Sequence, residues 1–174
     1  MKLQQRHHAP LIALALLTSL PLFLYGTSTV VDGPNHFYRL AELVWHIRHG
    51  DFYPRWFSDL HYGFGAPVFN FYAPLSYYIP VPFALLGIEL PTALLIGYVI
   101  AILVAVFGMN QWVSEQFNSP HAGFVASAAY VFSPYFFYNI LIRGAYPETW
   151  ALAIAPWLFW SAHRLIHAPS RRRH

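Results

Sequence analysis

The sequence predicts an all-α fold, a polytopic bundle of transmembrane helices with a long outer loop that carries interfacial helices. Three observations predict it. Hydrophobic residues make up 57% of the chain and charged residues only 10%, whereas a soluble domain carries about a quarter charged residues to cover its surface. The charges are also unevenly placed: Ala9–Val31, Leu90–Ser114, Gln116–Ile142 and Thr149–His163 contain no Asp, Glu, Lys or Arg. The first three exceed the roughly 20 residues that cross about 30 Å of hydrocarbon as a helix, and the fourth extends to Ile166 if Arg164 snorkels. Finally, prolines and aromatics crowd the one long interval between these stretches, from Asp32 to Leu90.

The same composition excludes several classes. There are no cysteines, so no disulfide framework, thiolate metal site or cysteine nucleophile exists. Half of the ten Lys and Arg residues lie at the extreme ends, at Lys2, Arg6, Arg171, Arg172 and Arg173. No central basic face is left for nucleic acid, and terminal basic residues beside apolar helices read as topology signals. Lys2, Arg6 and the small residues near Gly26–Ser28 would also suit a signal peptide. The apolar run Leu11–Val31 is long for one, however, and reads as an uncleaved first span.

Five apolar blocks can be drawn, 11–31, 73–88, 91–113, 122–142 and 149–166. Five crossings would put the two basic termini on opposite sides of the membrane, whereas the positive-inside rule places both in the cytoplasm. The block to exclude is 73–88, because it is short and contains Pro74, Pro80 and Pro82, which break a helix interior. Its aromatics suit the headgroup region, so it reads as interfacial or re-entrant. Four spans remain, 11–31, 91–113, 122–142 and 149–166, with outer loops at 32–90 and 143–148. The chain then reads as a single multi-pass module of the cell membrane.

In the long outer loop, residues 35–49 fit an amphipathic helix lying on the bilayer surface. Phe37, Leu40, Val44 and Ile47 share one face, and Arg39, Glu42, His46 and His49 share the opposite one. Gly50 is placed to end it. Downstream, Gly63, Gly65 and Pro67 predict turns with close backbone approach. The aromatic faces from Phe69 to Tyr78 suit sugar rings and membrane interfaces alike.

Asp32 has two readings, an N-cap for the following helix or a carboxylate acting as general base or metal holder at the membrane surface. With His36 and Arg39 at helical spacing it makes a plausible site for an anionic, phosphate-bearing ligand. Glu148 likewise reads as a first-turn residue favoured by the helix dipole or as a functional acid. Both acids fall on the outer side at a helix end, and they meet if the first and fourth spans are neighbours.

These residues also carry a family resemblance. Asp32-x-x-x-His36-x-x-Arg39, Gly50-x-x-Tyr53-Pro-Arg-Trp56, Tyr62-Gly-Phe-Gly-Ala-Pro-Val-Phe69, Phe71-Tyr-Ala-Pro-Leu-x-Tyr-Tyr78 and Arg143-Gly-Ala-Tyr-x-Glu148 resemble the bacterial membrane proteins called 6-pyruvoyl-tetrahydropterin-synthase-related. Those proteins are similar in turn to YfhO-like membrane proteins and to the GT-C superfamily of polytopic glycosyltransferases.

The resemblance implies transfer of a sugar from a polyprenyl-phosphate carrier at the outer face of the bacterial inner membrane. Asp32 and Glu148 would be the catalytic acids, or together hold a divalent metal ion. His36, Arg39, Arg55, Trp56, Tyr62 and Arg143 would bind substrate, the arginines on the lipid phosphate. Superfamily members are several times longer, so the resemblance also implies further C-terminal helices as partners and this chain as an N-terminal part. The contrasting expectation is a non-catalytic membrane protein that presents its aromatic outer loop to lipid, glycan or a partner.

Overall fold

The computed structural model describes residues 8–28 and 30–167, and regular structure among them is helical apart from one isolated bridge. Lys2, Arg6 and Arg171–Arg173, on which the orientation argument rests, lie outside the described residues.

Helix α1 (His8–Tyr25) stops six residues before Val31, because Gly26 turns left-handed at φ 78° and donates its N–H to the Leu22 carbonyl at 2.9 Å. Within α1 the hydroxyls of Thr18 and Ser19 donate to the Leu14 and Ala15 carbonyls at 2.9 and 2.8 Å, which satisfies polar groups that an apolar helix would otherwise strand.

Helix α2 (Gly33–Arg48) is the expected amphipathic helix, with Leu40, Leu43 and Val44 in the core. Its other face departs from expectation. His36 and Glu42 are buried and Arg39 and His46 half-buried, because Phe57, Phe69, Tyr72 and Tyr77 fold over them. Asn35, Tyr38, Trp45 and Arg48 are what α2 exposes, with His49 exposed just past its end. The helix is thus sandwiched between the bundle and its own downstream loop.

Three short helices follow, α3 (Val68–Phe71), α4 (Leu75–Tyr78) and α5 (Val81–Leu85). Pro74 and Pro80 stand at their N-caps and Pro82 in the first turn of α5, positions where a missing N–H costs nothing. The prolines therefore divide this stretch, and no helix within it is long enough to cross a bilayer.

Helix α6 (Leu90–Phe117) is the hub, with α1, α7 (Pro120–Val131) and α9 (Tyr146–His167) packed around it. Ser119 caps α7 by accepting from Ala122 N–H at 3.3 Å. The α7 chain runs antiparallel to α6, with Ser127 donating to the Val106 carbonyl at 2.9 Å and Gly123 against Asn110 and Ser114. Where α7 ends, Ser133 caps α8 (Pro134–Phe137), which continues as a π-helical turn, Tyr138–Arg143. Pro134 cannot extend the preceding helix, and the chain bends by 48° there.

Helix α9 runs parallel to α6. Gly97 receives the Tyr146 side chain and Gly108 the Trp157 indole, whose N–H donates to the Val104 carbonyl at 2.9 Å. At the far end Trp160 donates to Glu115 at 2.7 Å and Arg164 pairs with the same carboxylate at 3.5 Å. His8, at the start of α1, stacks on Phe107, so α1 opposes α6 in direction. Among the described residues two helices, α1 and α6, are long and apolar enough to cross a membrane, and α7 joined to the bent 134–143 segment makes a third candidate. The α9 helix, which carries Glu148, His163, Arg164 and His167, is not among them.

Candidate functional site

The site is built where the segment after α1 crosses the end of the π-helical turn. Asp32 N–H donates to the Arg143 carbonyl at 3.0 Å, and Ser28 Oγ donates to the Ile142 carbonyl at 2.9 Å. Two glycines allow this crossing. A Cβ on Gly33 would stand 1.8 Å from the Ser28 carbonyl oxygen, and one on Gly144 2.9 Å from Ser28 Cβ. Gly144 also sits at φ 68°, where a side chain is strained. Val31, immediately before Asp32, adopts φ 54° despite its branched side chain. Such strain persists only where surrounding contacts enforce it.

The crossing sets three charged side chains together. Arg143 Nε donates to Asp32 Oδ2 at 3.1 Å, and its Nη1 donates to Glu148 Oε2 at 2.6 Å. All three stay about one-third exposed, at 38% for Arg143, 34% for Asp32 and 32% for Glu148. The acids thus meet through a shared guanidinium. Adjacency of the first and last helices is not the cause, since α1 packs on α6 and lightly on α7.

Asp32 occupies the N-cap position of α2, yet its side chain caps nothing and turns to Arg143 instead. Because Arg143 lies between the carboxylates, a cation placed there would meet its positive charge. No group of three His, Asp or Glu residues among those described is arranged to hold a metal ion. Arginine offsets one of the two carboxylate charges, and with two acids in place of a set of three ligands the residues do not fit a metal centre.

Two further residues complete the cluster without having been signalled as site residues. The Tyr135 hydroxyl makes a short hydrogen bond to Glu148 Oε1, and the fully buried Asn139 donates to the same oxygen at 3.4 Å. Asn139 Oδ1 accepts from Arg143 Nη1 at 3.5 Å. A polar amide inside the otherwise apolar block 122–142 was the available signal, since polar groups in such segments carry structure or function. Among the described residues, Arg143 Nη2 donates to nothing.

His36 lies behind this cluster, 1% exposed. The Tyr146 N–H faces its Nε2 at 3.3 Å, and its Nδ1 lies 2.6 Å from the Tyr77 hydroxyl. Burial, with the nearby Arg39 charge, lowers the His36 pKa to about 4, so the imidazole is neutral at pH 7. Arg39 donates to Tyr77 at 3.3 Å and lies 4.2 Å from the centre of the Tyr72 ring, with no carboxylate within ion-pair reach among the described residues. Burial also raises the Tyr77 hydroxyl above its ordinary range.

Arg55, Trp56 and Tyr62 form a separate region. Arg55 donates to Asn70 at 3.2 Å and lies over Tyr53, Trp56 covers Gly65, and Tyr62 projects into solvent. None of these contacts reaches Asp32, Arg143 or Glu148.

No curated protein and no solved structure matches the chain. The protein-family model described as "6-pyruvoyl-tetrahydropterin synthase related domain; membrane protein" matches residues 69–174. That stretch contains Tyr77, Tyr135, Asn139, Arg143 and Glu148, while Asp32, His36 and Arg39 precede it. The match spans more than half of the chain, and with its apolar helices the protein belongs to this 6-pyruvoyl-tetrahydropterin-synthase-related family of membrane proteins.

Proposed function

We propose that the chain is the part of a membrane glycosyltransferase-like protein that receives a polyprenyl-phosphate-linked sugar at the outer membrane face. The observation that carries the reading is the Asp32–Arg143–Glu148 cluster, with both acids on one partly exposed guanidinium that keeps free donors. A phosphate is the ligand suited to an arginine edge. When it engages Arg143, the guanidinium's hold on Asp32 weakens, and that carboxylate is then available to take a proton from an acceptor. Glu148, with Tyr135 and Asn139 as further donors, stays in place and orients Arg143.

The parallel course of α6 and α9, with α7 returning between them, supports four crossings that bring this cluster to one face. The Arg164–Glu115 pair would carry α9 into the membrane with its charge matched. Further helices beyond this chain belong to the same reading.

The test is transfer of labelled sugar from a polyprenyl-phosphate donor by the full-length gene product in native membranes. Asp32→Asn is expected to lower the rate by about 10²–10⁴-fold, the range for loss of a general base, with normal membrane insertion. Unchanged transfer would leave the alternative, a non-catalytic membrane protein that displays its aromatic loop.

A further inference from the structure

The outer loop contains a closed finger whose tip the candidate site does not use. Phe57 and Ala66 exchange both backbone hydrogen bonds at 2.9 Å, and Gly65 N–H donates to the Leu60 carbonyl at 2.9 Å. Between them His61, Tyr62 and Gly63 are all left-handed, at φ 53°, 61° and 88°. Two consecutive non-glycine residues in that region cost energy, and such a conformation serves to hold a particular side chain in a particular place. The Trp56 indole lies on Gly65, so that a Cβ there would stand 2.2 Å from Trp56 Nε1 and the finger's flank is fixed.

What this backbone presents is apolar and aromatic. Tyr62 is 103% exposed and Phe64 84% exposed, with His61 exposed beside them, whereas Phe57 and Leu60 turn inward. The finger's one Asp, Glu, Lys or Arg is the exposed Asp59 at its base, and from Leu60 to Pro67 the ionisable residue is His61. Arg55 stands near the finger's base with Asn70 and Tyr53 as partners and no carboxylate among the described residues.

We infer that this finger is a membrane anchor: its tip, Tyr62 and Phe64, enters the headgroup and upper acyl region of the leaflet, and Arg55 meets lipid phosphate. Three observations select a bilayer as the occupant. The chain is a membrane protein, so a leaflet borders the loop that joins two of its apolar helices. The tip carries no Asp, Glu, Lys or Arg, as a bilayer favours in whatever enters it, while Asp59 stays at the base and His61 is the tip's polar group. A tyrosine with an aromatic neighbour and an adjacent arginine is the composition favoured at the interface. Each exposed apolar side chain gains on leaving water, and the preformed backbone means that little order has to be created on entry. The inference does not rest on sugar transfer, and it gives Tyr62 a lipid-facing role in place of substrate contact.

The absence of cysteine makes the experiment direct. Single variants Tyr62→Cys, Phe64→Cys and, at the finger's exposed base, Ser58→Cys are labelled with a nitroxide. They are then reconstituted in phosphatidylethanolamine–phosphatidylglycerol vesicles. At 62 and 64 collisions with oxygen should exceed those with a water-soluble nickel chelate, and at 58 the ratio should reverse. With the label at 62, Phe64→Ser should shift the ratio toward that of water. Water-like access at 62 and 64 overturns the inference, as does shielding from both reagents, which would mean contact with protein.

Discussion

At the scale of single residues, Asp32 shows how a carboxylate's role follows from its partner. Its position in the sequence suits a helix cap, but the left-handed Val31 and the Gly33–Gly144 crossing turn its side chain toward Arg143. Partly exposed ion pairs contribute about 0.2–1 kcal/mol. A double-mutant cycle of Asp32→Asn with Arg143→Met is therefore expected to give a coupling energy in that range by thermal unfolding in detergent. No coupling would mean that the pair does not form.

His36 offers a second residue-scale test. Its folded pKa, about 4, lies below the ordinary 6.5, so folding keeps the imidazole neutral. Above pH 6.5 both states are neutral and nothing is lost. As pH falls from 6.5 toward 4 the unfolded chain takes up a proton that the folded chain refuses, and stability declines by at most about 3 kcal/mol. His36→Asn should flatten that part of the pH–stability profile, and an unchanged slope would assign the loss to other groups.

At the scale of elements, α6 and α9 are held by small residues under large ones. A Cβ on Gly97 would stand 2.1 Å from the Tyr146 hydroxyl, which is buried with no hydrogen-bond partner among the described residues. Gly97→Ala is expected to cost about 1–3 kcal/mol by overpacking. Tyr146→Phe should cost little by itself and restore much of that loss in the double variant, as read from melting temperatures. Additive losses would show that the two positions do not touch.

The sequence made the apolar helices legible through charge-free runs, and the prolines at 74, 80 and 82 marked the division of the short segment. It did not reveal that α1 ends at Tyr25, because Gly26 is one small residue in an apolar run that continues to Val31. Nor did it reveal the burial of α2's polar face. Periodicity identifies two faces, while the aromatic loop that covers one of them is a long-range contact. The candidate site was legible as separate acids and arginines. Their union through Arg143 depends on the π-helical turn and on two glycines brought together from distant parts of the chain.

For the whole molecule, the helix directions predict an arrangement that reporter fusions can check. Asp32, Arg143 and Glu148 lie at one end of the bundle, and His8, Glu115 and Arg164 toward the other. With four crossings, a reporter joined at Ser119 is expected to report cytoplasm and one at Ala145 the outer side. The same compartment for both would remove the third crossing and, with it, the proposed face of the site.

The paired contacts of α6 and α9 have a mechanical consequence. Gly97 and Gly108 are separated by the same interval as Tyr146 and Trp157, so the two helices fit like a shaft with two matched keys. Sliding or turning α9 would drive both aromatic side chains out of their seats at once. Glu148, two residues beyond the first key, is thereby fixed in height and bearing. Any movement at the cluster then falls to the Arg143 side chain and the segment before Asp32, not to the helix that carries Glu148.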